Sequence, residues 1–170
     1  MTREPNVPPN DGLTHVDGRG RANMVDVGDK PATARRAVAE AIVRLDAPTR
    51  DLLFAGQLPK GEALAVARVA GIQAAKETAR LIPLCHPLPL ARVAVDFAPF
   101  GDDGVRVACE ATTVAPTGVE MEAMTGAAVA ALTIYDMVKA RCRGAVVENL
   151  RLVHKSGGKS GAFDAPPATP

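Results

Sequence analysis

The sequence predicts an α+β fold in which an antiparallel sheet carries long helices packed on one face. Residues 118–139 contain no proline and are rich in Ala, Met, Leu and Val, as long helices are. Residues 92–97 and 105–111 alternate apolar and polar side chains, which indicates two half-buried strands joined as a hairpin. A hairpin flanked by helices favours a ferredoxin-like arrangement.

The first predicted elements are a short strand and a helix. Residues 23–28 alternate in the manner of a strand. Residues 32–45 place apolar side chains at the i, i+3, i+4 and i+7 positions, which predicts a helix. In that helix Arg35 would extend the inward stripe and be suited to clamping an anion. Arg36 would face solvent, in an i+4 ladder with Glu40 and Arg44.

The later elements follow in order. A short helix is expected at 49–54 and a long helix at 62–81, the latter with an inward face of Ala65, Val69, Ile72 and Ala79. The hairpin comes next, with Asp102, Asp103 and Gly104 as its turn. The helix at 118–139 and a last strand at 150–155 complete the fold.

The helix at 118–139 is apolar on two opposite sides, which predicts that both sides are covered. Asp136 and Lys139 lie within one of these apolar stripes, so Asp136 is expected to be buried and to need a partner or a chemical task. A plain i, i+3 surface ion pair is the alternative. Glu120 and Glu122, near the start of the helix, are, taken singly, better explained as carboxylates that the helix dipole favours.

Composition limits the class of protein. The chain has 170 residues, is 47% hydrophobic and has a net charge of +1, so no global field recruits nucleic acid or a membrane. We expect one domain over residues 12–163, with disordered tails at 1–11 and 164–170. Three cysteines without a CxxC motif suggest a reducing compartment. Neither a leader nor an apolar run of membrane length is present, so we expect a cytoplasmic protein.

Two loops carry candidate site residues. Residues 82–89 hold three prolines and form a stiff loop with His86 at its centre, which suits a structural histidine or a site residue. Lys60 lies in the loop before the long helix predicted at 62–81. Cys85 and His86 are adjacent, so their side chains do not converge on one ion, and the other cysteines lack ligand spacing. No metal site is therefore predicted.

The segment KSGGKSG at 155–161 invites comparison with a phosphate-binding loop. The Walker spacing requires a glycine where this chain has Val153, and no helix follows. What remains is a set of exposed amides and two ammonium groups able to hold an anion.

Four segments together resemble the cyclic pyranopterin monophosphate synthase (MoaC) family of molybdenum cofactor biosynthesis. They are NMVDVG, GIQAAKETARLIPLCHPLPL, TGVEMEAMTGAAVAALTIYDMVKA and KSGGKSG, in this order. The resemblance extends from about Leu13 to Phe163. It implies a lyase that converts (8S)-3′,8-cyclo-7,8-dihydroguanosine 5′-triphosphate to cyclic pyranopterin monophosphate and releases pyrophosphate. It also implies a ferredoxin-like homohexamer, a trimer of dimers, with its site at the dimer interface.

The resemblance also implies roles for particular residues. The catalytic groups would be Asp136, Lys60 and Lys139. The substrate-binding groups would be Leu84, Cys85, His86, Glu120, Met121, Glu122, Arg35 and Lys155.

The chemistry of these side chains suits such a substrate. Arg35, His86 and Lys155 would neutralise a triphosphate. Asp136 and Lys139 would move protons, with Lys60 as a second acid or base. Glu120 or Glu122 would accept N–H groups of a guanine-derived ring, and Met121 would pack on its face. No resident cofactor is expected, and any Mg²⁺ would arrive with the substrate phosphates.

Two other functions fit the same residues. One is a zinc-dependent purine cyclohydrolase that uses Cys85, His86 and another histidine. The other is a non-catalytic purine-nucleotide-binding oligomeric module, for which the basic cluster alone would suffice.

Overall fold

The computed structural model describes residues 20–159 and 161–169. The elements in chain order are β1 (Thr33–Arg44), α1 (Ala47–Phe54), α2 (Ala63–Lys76), α3 (Thr78–Leu81), β2 (Arg92–Phe100), β3 (Gly104–Ala115), α4 (Glu120–Val138), β4 (Val146–Ser156) and β5 (Phe163–Asp164). The five strands form one antiparallel sheet in the order β2-β3-β1-β4-β5. This order, with α2 and α4 as the two crossover helices, confirms the α+β, ferredoxin-like prediction.

The core lies between the sheet and the helices and is built mainly from small side chains. On β1 the residues facing this core are Ala37, Ala39, Ala41 and Val43, and all are fully buried. Helices α2 and α4 pack closely where Gly71 meets Gly126, since a Cβ atom on Gly71 would lie only 2.8 Å from the Gly126 carbonyl oxygen. Alanine and glycine therefore set the short distance between the helices.

Several predicted elements are confirmed. The hairpin is β2 and β3, turning at residues 101–103, and the long proline-free helix is α4. The strand predicted at 150–155 is longer than expected, since β4 begins at Val146, and it is followed by β5. The helix predicted at 62–81 is present but breaks at Glu77 into α2 and α3.

The helix predicted at 32–45 is wrong, because this segment is the central strand β1. It pairs with β3 on one side and with β4 on the other. Both of its faces are covered over residues 40–43, so the simple alternation of a half-buried strand is lost and the run imitates helical spacing.

The grouping of the charged residues along this segment nevertheless holds. Residues 36, 40 and 44 share one face in either structure. A step of four residues is two full periods of a strand and close to one turn of a helix. Their partners differ from the predicted ladder, since each pairs across the sheet. Glu40 is almost fully buried and accepts hydrogen bonds from Arg106 at 2.7 Å and Arg151 at 2.7 Å. Arg35 lies on the opposite, helix-covered face.

Two other expectations are corrected. Residues 23–28 form no strand; Gly28 instead closes a turn by donating to the Asp26 carboxylate. The inward face of α2 is only partly the predicted one: Ile72 packs against the core, but Val69 is 67% exposed and the buried positions include Ala67 and Gly71. The second side of helix α4 is left uncovered by the described residues of this chain, because Leu132 is 56% exposed.

The ends of the chain are described only in part. The tail predicted at 1–11 lies outside the described residues. At the other end Asp164, which was expected to belong to a disordered tail, forms β5 with Phe163, and the Ala165 amide donates to the Val153 carbonyl. Among the described helices, none has the length and apolar character needed to span a membrane.

Candidate functional site

A cavity of about 280 Å³ lies between the proline-rich loop, the segment before β1 and the first turn of α4. We call it the loop cavity. It brings together six of the predicted substrate-binding residues, namely Leu84, Cys85, His86, Glu120, Met121 and Glu122. Its other lining residues are Val25, Val27, Lys30, Leu88, Thr117 and Gly118. The lining is thus part apolar and part charged, as in sites that hold a polar ring system.

His86 is fixed in the wall of the loop cavity by a backbone contact. Its Nε2 atom lies 2.8 Å from the carbonyl oxygen of Val25. A carbonyl oxygen only accepts, so Nε2 carries a hydrogen and, in the neutral ring, Nδ1 is the unprotonated nitrogen. The segment before β1 therefore sets the tautomer of His86.

The two glutamates at the start of α4 have different surroundings. The Glu120 carboxylate lies 3.2 Å from the ammonium group of Lys155. Glu122 is 4% exposed, and burial, followed by the negative charge of Glu120, raises its pKa to about 6. Glu120 is therefore paired with a cation, whereas no cation contributes to the pKa shift of Glu122.

A second cavity, of about 570 Å³, adjoins the loop cavity, and the two share Lys30, Thr117, Gly118 and Glu120. We call it the basic cavity. Its remaining walls are Pro31, Thr33, Arg35, Pro116, Gly158 and Lys159. Its lining has three cationic side chains against one carboxylate, a balance of charge that suits an anion.

Arg35 reaches the basic cavity from β1 and is held by backbone oxygens. Its Nε atom donates to Ala115 at 3.3 Å and its Nη2 atom donates to Pro116 at 3.2 Å. Gly158 lies directly against the guanidinium group, where a Cβ atom would overlap it, and has a φ of +74°. The glycine-rich segment therefore packs closely against Arg35 and does not form a Walker loop.

Asp136, Lys60 and Lys139 form a third group, the lysine cluster. The Asp136 carboxylate lies 2.7 Å from the Lys139 ammonium and 3.4 Å from that of Lys60. Lys139, and then Lys60, lower the pKa of Asp136, while Asp136 raises the pKa of Lys139. Asp136 and Lys139 thus each favour the charged form of the other. The three residues predicted to be catalytic do meet in space.

The predicted burial of Asp136 is wrong for the single chain. Its side chain is 56% exposed, because this face of α4 has no neighbour in one subunit. Asp136 also follows Glu122 by fourteen residues on one helix, which separates them by about 21 Å at the helical rise of about 1.5 Å per residue. One chain therefore presents the lysine cluster and the two cavities at opposite ends of α4.

Some lining residues were not predicted from the sequence. Lys30 lines both cavities, and Thr33 lines the basic cavity with a buried hydroxyl oxygen that has no hydrogen-bond partner. Neither carries a local signal, since Lys30 follows an ordinary turn and Thr33 opens a strand that was predicted as a helix. Only the tertiary placement of β1 beside α4 reveals them.

The described residues 20–159 and 161–169 contain no group of three or more His, Cys, Asp or Glu side chains able to hold a metal ion. Cys85 is partly exposed, and burial raises the pKa of its thiol, with Glu122 adding to the effect. A raised thiol pKa disfavours the thiolate that metals bind.

Comparison with known proteins agrees with these features. The model of the MoaC family matches residues 24–158. A relative from Nostoc sp. (strain PCC 7120 / SAG 25.82 / UTEX 2576), named cyclic pyranopterin monophosphate synthase, is 55% identical over 155 residues. That similarity covers 91% of this chain and 92% of the relative. The matched span of the family model includes every candidate residue from Arg35 to Lys155.

Proposed function

The chain belongs to the MoaC family, and from this premise we propose that it is a cyclic pyranopterin monophosphate synthase of molybdenum cofactor biosynthesis. It is a lyase that converts (8S)-3′,8-cyclo-7,8-dihydroguanosine 5′-triphosphate to cyclic pyranopterin monophosphate and releases pyrophosphate. The observation that carries this conclusion is the 55% identity over nearly the whole chain to a synthase of that name. The two adjoining cavities support it, because they match a ring joined to a polyphosphate.

The substrate's ring would lie in the loop cavity. There Glu120 or Glu122 accepts its N–H groups and Met121 packs on its face, while Leu84 and Cys85 form the opposite wall. The paired carboxylate of Glu120 remains able to accept, since a carboxylate has about four lone-pair directions and Lys155 uses one.

The triphosphate would lie in the basic cavity. Arg35 lines this cavity, Lys155 pairs with Glu120 of the shared wall, and His86 lines the adjoining loop cavity. Lys30 and Lys159 add two further positive charges there. Charge-assisted hydrogen bonds from such groups neutralise and orient phosphoryl oxygens, and they also stabilise pyrophosphate as a leaving group.

The lysine cluster would carry out the proton transfers. Opening and reclosing the rings requires protons to move on and off nitrogen and oxygen. Asp136 remains ionised at neutral pH because both lysines lower its pKa. It can therefore act as a base or orient Lys139, and Lys60 provides a second ammonium group on the same carboxylate.

The wide separation along α4 supports a site shared between two subunits. We place the lysine cluster of one subunit over the cavities of its partner, in a homohexamer built as a trimer of dimers with the site at the dimer interface. A two-fold axis beside α4 brings the end of one helix to the beginning of the other. The exposed Leu132 and Tyr135 beside the cluster are suited to such a contact.

The proposal includes no resident cofactor, and Mg²⁺ would enter only with the substrate phosphates, because oxygen-rich polyphosphates are its usual ligands. A cytoplasmic location is also proposed, in keeping with a nucleotide-derived substrate and three free thiols.

The decisive experiment is to incubate the purified, chelator-treated protein with the cyclised nucleotide and to measure pyrophosphate release. Asp136→Asn should fold and bind the nucleotide but lose turnover by at least about a hundredfold, as removal of a general acid or base does. Binding without release by the wild-type protein would instead favour the non-catalytic module. Activity that returns only with zinc would favour the cyclohydrolase.

A further inference from the structure

The loop that presents Leu84, Cys85 and His86 to the cavity is poorly supplied with backbone donors. Residues 83, 87 and 89 are prolines, which have no backbone N–H group. Regular pairing with β3 ends at Arg92, opposite Thr112, and the Ala91 amide makes one more bond to the Thr112 carbonyl at 2.8 Å. The loop beyond that point needs another attachment to the sheet.

Thr113 of β3 provides this attachment. Its hydroxyl donates to the carbonyl oxygen of Pro89 over 2.6 Å, and the residue is 3% exposed. The backbone of Thr113 is already used, because β3 pairs there with Arg35 of β1. The side-chain hydroxyl therefore continues the attachment of the loop past the point where backbone pairing ends.

We propose that Thr113 positions the segment from Leu84 to His86, and that it does so through the Pro89 carbonyl rather than by touching the substrate. This inference rests on the proposed function for its catalytic consequence only. Pro89 follows His86 by three residues, with Pro87 between them, so the connection is stiff and a fixed Pro89 limits where His86 lies.

The register adds a second consequence. Thr113 lies opposite Arg35, the arginine of the basic cavity. The Thr113 hydroxyl is thus bonded to the loop that lines the loop cavity, and the Thr113 backbone pairs with the strand that carries Arg35. Thr113 consequently relates the two cavities to each other, which matters for a substrate that spans both.

The chain contains its own reporter for this loop. Cys85 is partly exposed in the loop, whereas Cys109 and Cys142 are buried. The rate at which an uncharged thiol reagent labels Cys85 in the folded, full-length protein reports how closely the loop holds this partly exposed thiol, since a looser loop exposes more of it. Mass spectrometry of the labelled peptide confirms which thiol has reacted.

Thr113→Val removes the hydroxyl and keeps the shape, and Thr113→Ser restores the hydroxyl. Thr112→Val is the matched control, since its side chain points to the other face of the sheet. We expect Cys85 in Thr113→Val to react about tenfold faster than in the wild type, the effect of losing one buried hydrogen bond. The serine and control variants should stay within about twofold, because they keep that bond.

Turnover provides a separate readout. In Thr113→Val the KM for the cyclised nucleotide should rise by about tenfold while kcat changes less than about threefold, as expected when binding groups are misplaced and the reacting groups are not. A folded Thr113→Val protein with wild-type labelling of Cys85 would overturn the inference. If that variant fails to fold, Thr113→Ala is measured in its place under the same criterion. Wild-type protein that releases no pyrophosphate would overturn the proposed function, while the labelling rates would still decide the role of Thr113.

Discussion

The ammonium group of Lys60 lies 2.8 Å from the backbone carbonyl oxygen of Asp136, in the last turn of α4. Carbonyl groups at the end of a helix lack partners within the helix, and a cation there is favourable. Lys60 therefore serves the helix end and the Asp136 carboxylate at once. The loop before α2 is joined in this way to the most distant turn of α4.

The first prediction compares three lysines. In the proposed mechanism Lys60→Ala and Lys139→Ala each remove a proton-transfer group beside Asp136, so each should lower kcat by at least about a hundredfold. Lys159→Ala should act mainly on KM, since Lys159 lines the basic cavity. Steady-state pyrophosphate release measures all three. Equal losses of kcat would show that the proton-transfer groups lie elsewhere.

The second prediction concerns pH and Glu122. Its folded pKa of about 6 lies above the ordinary value of 4.5, so the folded state binds the proton more tightly. Its contribution to stability is therefore full below pH 4.5 and is lost as pH rises through 6. The loss is at most about 2 kcal/mol, less what remaining solvent contact screens.

Urea unfolding of the wild type and of Glu122→Gln, at one protein concentration and at several pH values between 4 and 7, tests this. The glutamine variant should lack that part of the decline. Glu120→Gln is the control and should keep most of it, because burial is the larger cause of the raised pKa of Glu122 and the charge of Glu120 the smaller one. An unchanged decline in Glu122→Gln would refute the assignment.

The third prediction distinguishes backbone strain from steric overlap at two glycines of the 155–161 segment. Gly158→Ala and Gly161→Ala should each lose about 1–2 kcal/mol of stability, because both have positive φ. Only Gly158→Ala should also displace Arg35, since nothing lies within 4 Å of a Cβ at Gly161. Calorimetry with pyrophosphate should then show about tenfold weaker binding for Gly158→Ala alone, as loss of a charge-assisted bond predicts. Equal affinities would disconnect Gly158 from the anion site.

The fourth prediction tests the crossing of α2 and α4. A Cβ atom at Gly126 would lie 2.5 Å from the Cys109 sulfur and 3.1 Å from the Gly71 carbonyl oxygen, so Gly126→Ala should cost about 1–3 kcal/mol by overpacking. Gly144→Ala, with open space at its Cβ position, should change stability by less than about 0.5 kcal/mol. Thermal or urea unfolding compares them. Equal stabilities would mean that the helices separate at little cost.

The elements that could be predicted from the sequence are those with an unambiguous local period. The hairpin of β2 and β3 alternates because one of its faces is partly wet, and α4 is long and free of proline. β1 could not be recognised, because pairing on both edges and cover on both faces removed its alternation. In such a strand tertiary burial decides the structure and local spacing misleads.

The candidate site was predictable to the extent that its residues are close in sequence. His86 and Glu122 belong to short segments that the family resemblance identified, and each segment meets the same cavity. The contact between Lys60 and Asp136 spans 76 residues and depends on how α2 and α4 are joined. The exposure of Asp136 could not be foreseen, because an apolar stripe does not show whether its cover comes from the same chain.

In the proposed dimer, which places the lysine cluster at one end of α4 over the cavities at the other end of the partner's α4, two different defects need not lie in the same active centre. A subunit with Asp136→Asn keeps intact cavities, and one with His86→Ala keeps an intact cluster. If the two inactive proteins are unfolded together and refolded as a mixture, two-fold pairing at random should rescue about a quarter of wild-type turnover. Each rescued centre would be a hybrid, assembled from the sound half of either parent.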